Sequence, residues 1–118
     1  MLNGQDRSVK ASNGWVKQPA AGETEAMAFV TVENPGMYEI NVTSAKADVA
    51  GKVELRDDGQ TITFITVPAY GRVDMAPKAV HLQLVGLKQP LKEGDTIALT
   101  LSTDVDVTLE ASAIVRQQ

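Results

Sequence analysis

One histidine stands in the whole chain, His81, so any chemistry that needs an imidazole must pass through it. Val80, Leu82 and Leu84 alternate there with His81, Gln83 and Val85. That is the period of a half-buried strand, with His81 and Gln83 on one face and the leucines on the other. Glu54, Asp57 and Asp58 supply carboxylates upstream. His81 with Asp57, Asp58 or Glu54 would make a nitrogen and oxygen donor set suited to Cu(II) or Zn(II). The competing reading of a lone histidine is a hydrogen-bonded structural residue. Met75 and Met27 read as strand packing and Met37 as the edge of a turn; the alternative for Met27 and Met37 is a displaced thioether pair. Absence of cysteine excludes disulfides, thiolate metal sites and thiol nucleophiles. No G-x-S-x-G elbow frames Ser8, Ser12, Ser44, Ser102 or Ser112, and adjacent Asp57 and Asp58 read as a solvated turn. Glycines fall one per turn rather than in a phosphate-cradling motif, so an enzyme is not expected.

The elements that must position these residues are all extended. Val9 to Ala11 reads as a short strand, Asn13-Gly14 as a hairpin or bend, and Trp15 as a core or rim plug before the Pro19 break. Strands follow over residues 26–33, 38–44 and 52–56, with Asn34-Pro35-Gly36 a turn and residues 45–51 a connection. Asp57-Asp58-Gly59 is a tight acidic turn, after which residues 61–67 form the most β-prone run of the chain. A short strand over 72–75 precedes the His81 strand. Gly86 closes that strand, and an exposed loop carrying Lys88 and Lys92 leads to a strand from Thr96. In the tail, Val105, Val107, Leu109, Ala111 and Ala113 alternate with polar residues. No helical period persists, and about eight short strands at regular spacing predict an all-β, Greek-key β-sandwich.

The 118 residues fit a single domain spanning 1–118, whose core must be mostly aliphatic because aromatic residues make up only 4%. A net charge of −4 argues against nucleic acid, whose phosphates demand a basic surface. No apolar run approaches the ~20 residues of a membrane span, and residues 1–10 lack a signal-peptide core.

His-x-x-Leu-x-Gly-Leu-Lys-Gln-Pro-Leu-Lys-Glu-Gly-Asp-Thr, residues 81–96, resembles the signature segment of the periplasmic copper-chaperone family PCu(A)C. Trp15, Pro19, Phe29, Thr31 and Asn34 match further positions of that family, with Lys17 where arginine is common. The resemblance implies a cupredoxin-like fold, a periplasmic or extracytoplasmic location, a monomer, and a copper ion passed to a copper-receiving envelope protein. It also implies a Cu(I) site: a histidine, a methionine about ten residues later, then about twenty-one residues on a His-x-Met pair, imidazole and thioether being suited to a soft ion. His81 matches the second histidine and is the metal ligand retained. Gln83 stands where its methionine partner belongs. Val53-Glu54-Leu55, which precedes the first histidine in the family, is followed here by Arg56, and the first methionine falls near Gly59 in a shortened turn. A guanidinium about 5 Å from Cu(I) would cost roughly 3 kcal/mol at an effective dielectric of ~20. Two expectations follow: a copper-chaperone-like protein with weak or lost copper binding, or a protein-interaction module acting through residues 86–95 and 57–59.

Overall fold

The computed structural model describes residues 9–117. Among them ten strands form: β1 (Lys10–Lys17), β2 (Glu25–Asn34), β3 (Ile40–Ala47), β4 (Ala50–Asp57), β5 (Gln60–Ile62), β6 (Ile65–Val67), β7 (Gly71–Asp74), β8 (Val80–Leu87), β9 (Thr96–Thr103) and β10 (Thr108–Arg116). They share one sheet in the order β5-β4-β8-β2-β1-β10-β9-β3-β6, with β7 added to β2. A further pairing of β3 with β4, at Ala45 and Val53, joins the two arms. Seven strands thereby close on themselves. The expected all-β, cupredoxin-like architecture is present, its two layers continuous around a barrel.

Alternation explains the core. Val16, Ala28, Leu82 and Leu55 lie side by side on β1, β2, β8 and β4, and all four point inward and are buried. Leu84, Leu99, Leu101, Val42 and Val115 fill the interior around them, each fully buried aliphatic side chain contributing about 1.5–3 kcal/mol.

The structure departs from simple pattern reading in four places. Asn13-Gly14 does not turn the chain; it is a bulge within β1, where the register with β2 shifts between Ser12 and Trp15 and Asn13 takes φ 54°. Gly14 is required there by close approach, because a Cβ would meet the Ser112 carbonyl oxygen at 2.7 Å. The run over 61–67 is two strands, because β5 bonds to β4 and β6 to β3; the chain changes partner at Thr63-Phe64 and leaves Phe64 half exposed. The connection over 45–51 shrinks to a two-residue turn, Asp48-Val49. Finally, Val105 and Val107 are exposed turn residues rather than strand. Thr103 dictates this: its hydroxyl donates to the Val107 carbonyl at 2.8 Å and accepts from the Val107 N–H at 3.1 Å, locking the turn before β10 starts.

Asn34 holds the end of the barrel where β1 begins. It is 2% exposed, its amide nitrogen donates to the carbonyls of Tyr38 (2.8 Å) and Pro68 (3.2 Å), and its Oδ1 accepts from the Gly36 N–H at 3.0 Å. One side chain therefore ties the β2–β3 connection to the β6–β7 turn. In that turn Tyr70 sits at φ 55°, a left-handed conformation that is costly for a bulky side chain. The Tyr70 N–H bonds the Gly36 carbonyl at 3.0 Å and the Gly71 N–H bonds the Pro68 carbonyl at 3.1 Å, and these bonds hold the strained backbone in place.

Candidate functional site

Cross-strand register brings the key positions together. Arg56 on β4 lies directly opposite His81 on β8, and Glu54 lies opposite Gln83. The two positions that match the histidines of the copper-chaperone family are thus neighbours on one face of the barrel, although 25 residues separate them in the chain.

His81 keeps the orientation predicted by alternation but is only 1% exposed. Its face of the sheet is covered by a row of rings. Phe29 on β2 lies 5.9 Å from the imidazole, Trp15 on β1 lies 4.4 Å from Phe29, and the Arg116 guanidinium caps the indole at 4.3 Å. Hence Phe29 and His81 are buried although they point away from the barrel interior. Trp15 acts as the expected rim plug. His81 stands at the start of β8, so the lysine-rich loop that follows Leu87 lies beyond the other end of that strand.

The imidazole is oriented by one bond. Nδ1 lies 3.0 Å from the Ala79 carbonyl, which also accepts the Asp58 N–H at 3.0 Å. A carbonyl can only accept, so Nδ1 carries the proton and Nε2 of the neutral ring keeps the lone pair. Nε2 has no hydrogen-bond partner among the described residues. A backbone carbonyl on the far nitrogen is the arrangement that orients a histidine ligand, and a buried nitrogen without a partner is uncommon enough to need a reason.

Around His81 the other donors are engaged elsewhere. Arg56 donates from Nε (3.0 Å) and Nη2 (2.6 Å) to Glu54 Oε1, and Lys52 Nζ meets Glu54 Oε2 at 3.1 Å. These three residues make an ion ladder along β4. The Arg56 hydrogen bond, then that of Lys52, holds the Glu54 carboxyl below its ordinary value of 4.5. Because the folded value is the lower one, the ladder stabilises the fold above pH 4.5 and loses that contribution as pH falls through the folded value. Glu54→Gln should therefore be less stable than wild type at pH 7. The gap should close below pH 4 in urea melts at a series of pH values, and a gap independent of pH would remove the ladder from the account.

Gln83 donates to Glu25 Oε1 at 3.1 Å across to β2, with Met27 as its register partner. Met75 is buried, Met27 is partly buried on β2 and Met37 is 59% exposed in the β2–β3 connection, so Met27 and Met37 occupy different settings. Asp57 and Asp58 flank the β4–β5 turn as expected, Asp58 at φ 58°. Among the described residues, no three of His, Asp and Glu converge on one point. The nitrogen and oxygen site envisaged from His81, Glu54, Asp57 and Asp58 is not assembled, because Glu54 is bound by its own strand and the turn carries its carboxylates outward into solvent. Sequence reasoning missed the ring row and the Glu54 pairing; Arg56 two residues after Glu54 on one strand face was the available signal for the latter.

A closed barrel of this topology is the fold of PCuAC-type domains. Superposition gives a TM-score of 0.84 with the copper-bound PCuAC domain from PmoF2, at 24% identity over 93% of each chain. It gives 0.79 with CuI-DR1885 from Deinococcus radiodurans, at 24% identity over 93% of this chain and 79% of that one. These likenesses establish the fold. Residues 9–115 match the family model described as "Putative lipoprotein LpqE-like", and the chain belongs to that LpqE-like family. It is 32% identical over 106 residues to "Putative lipoprotein Lxx21020" of Leifsonia xyli subsp. xyli, spanning 82% of this chain and 63% of that relative's length.

Proposed function

We propose that this chain is an extracytoplasmic lipoprotein domain of copper-chaperone type that has kept the PCuAC scaffold and lost the tight Cu(I) cage. One observation carries the reading: the position that faces His81 across β4 and β8 is a guanidinium already paired to Glu54. Arg56 supplies a positive charge and no lone pair, and the Gln83 amide oxygen is a hard donor. His81 is left as a single ligand, sufficient for weak, exchangeable copper and insufficient to compete with a chaperone bearing four soft donors. The scaffold speaks for a binding protein rather than an enzyme, one that hands copper to another envelope protein. No helix among the described residues is long and apolar enough to cross a membrane. Attachment to the envelope is supported by the lipoprotein names of the family and its relative.

Competition titration with a Cu(I) chelator tests this. The wild-type chain should give up Cu(I) to a chelator of micromolar affinity, and His81→Ala should abolish the residual binding. Tight one-to-one binding by the wild-type chain would overturn the reading, whether or not it survives His81→Ala.

A further inference from the structure

We infer that the end of the barrel at which β1 begins is a lipid-contacting rim, seated on the interfacial region of a zwitterionic bilayer. The inference rests on the lipoprotein reading above and adds to it the orientation of the domain. Antiparallel pairing of Lys10 with Glu33, of Gly71 with Asn34 and of Ile40 with Val67 places three connections at this one end. They are residues 35–39, 68–70 and, beside Asn41, 104–107. Among the described residues, five of the seven exposed large hydrophobics sit on their tips: Met37, Tyr38, Tyr70, Val105 and Val107. The opposite end differs in kind. Its connections, residues 18–24, 48–49 and 88–95, expose Glu23, Asp48, Lys88, Lys92 and Glu93 and no large hydrophobic.

Three observations favour a membrane surface as the occupant. First, the apolar groups are tips of separate loops around a rim, and the cleft between Pro35 and Tyr70 is bordered by the charged Glu33 and Arg72 rather than forming an apolar slot for a peptide side chain. Second, the polypeptide that precedes Val9 joins the barrel at this end, because Lys10 pairs with Glu33 next to Asn34. Bacterial lipoproteins are acylated at an N-terminal residue, so a tether would draw this end toward the bilayer. Even a weak surface contact is then favoured by the effective concentration that a tether creates. Third, the tips are rigid and amphipathic. Asn34 clamps two of the loops, while Asn41 bonds Asp104 through its backbone N–H (2.9 Å) and its side chain (2.8 Å) to hold the third. Tyr70 is 68% exposed in a left-handed conformation that glycine would adopt at less cost, and Tyr38 is 77% exposed. Strain kept at an exposed aromatic points to a role for the ring, and tyrosine is a residue of membrane–water interfaces.

Charge chooses the lipid. Glu33, Glu39, Asp104 and Asp106 surround the rim against the cations Lys10 and Arg72, the latter already paired with Asp74 at 3.2 Å. Anionic headgroups would be repelled.

The test uses the full chain with an N-terminal histidine tag, held on phosphatidylcholine vesicles by a nickel-chelating lipid and containing a lipid spin-labelled near the headgroup. Amide signals of residues 36–39, 69–71 and 105–107 should broaden several-fold more than those of 18–23 and 88–95. Tyr38→Ser/Tyr70→Ser, which alters only exposed side chains, should lose most of that difference, and Ile114→Ser should retain it. Replacing a third of the phosphatidylcholine by phosphatidylglycerol should also reduce it. Equal broadening at both ends, a pattern unchanged in the tyrosine variant, or an increase with phosphatidylglycerol would overturn the inference and leave the rim to a protein partner. The tether here is artificial, so this outcome does not depend on native acylation, which mass spectrometry of the membrane-associated protein reads separately.

Discussion

The double variant Arg56→His/Gln83→Met is expected to bind Cu(I) at least about 100-fold more tightly than the wild-type chain. The reasoning starts from register. Arg56 and His81 face each other across β4 and β8, a geometry in which side chains start about 5 Å apart. A unit positive charge at that distance would oppose Cu(I) by roughly 3 kcal/mol at an effective dielectric of ~20, about two orders of magnitude in affinity and an upper limit here because Glu54 already pairs with Arg56. Replacing it with imidazole removes the repulsion and adds a donor. Methionine at position 83 adds a neutral thioether on the same strand face as His81, which suits a soft ion without any deprotonation. Glu54 is not stranded by the change, since Lys52 remains 3.1 Å from its second oxygen. Arg56→Ala separates the two effects: it should recover the electrostatic part alone. Chelator competition reads all three proteins. If the double variant binds no better than wild type, the facing register of β4 and β8 does not define the metal site, and the account of its loss is wrong.

Asn34→Ala should cost about 3 kcal/mol of folding stability, lowering Tm by about 10 °C. The residue is buried and supplies bonds in both directions, to the carbonyls of Tyr38 and Pro68 and from the Gly36 N–H. Alanine leaves those backbone groups without their partner where water has little access, and opens a small cavity as well. Asn34→Asp is the informative companion. It is nearly isosteric and can still accept from Gly36, but it cannot donate and sets a carboxylate against carbonyl oxygens. It should therefore be at least as destabilised as Asn34→Ala at pH 7 and recover in part when protonated. Denaturant melts at pH 7 and pH 4 measure both. A loss under 1 kcal/mol for either variant would mean that the two loops are held by their backbone bonds alone.

Different parts of this account became legible at different stages. Strand placement around β2, β8 and β9 could be read locally, because a period of two in residues such as Leu82 and Leu84 encodes which side is buried. The scaffold was legible too, through residues 81–96. The bulge at Asn13-Gly14 was not, since the same two residues serve equally well in a hairpin, and only the partner strand decides which. The division of 61–67 into β5 and β6 was hidden for a similar reason: a run of β-branched residues states that it is extended and not to whom it bonds.

What the order of residues determined by itself is the alternation, the turns and the list of side chains available: one imidazole, no thiolate, a guanidinium at position 56 and a carboxamide at position 83. Tertiary structure decided everything that depends on pairing between distant segments. It set Arg56 against His81, buried that histidine under Phe29 and Trp15, gave Arg56 to Glu54, and gathered Met37, Tyr38, Tyr70, Val105 and Val107 at one end. The physical reason is the range of the forces involved. Side-chain period and backbone preference act over a few residues and are written in the local pattern. Strand register and ring stacking act between segments brought together only when the barrel closes.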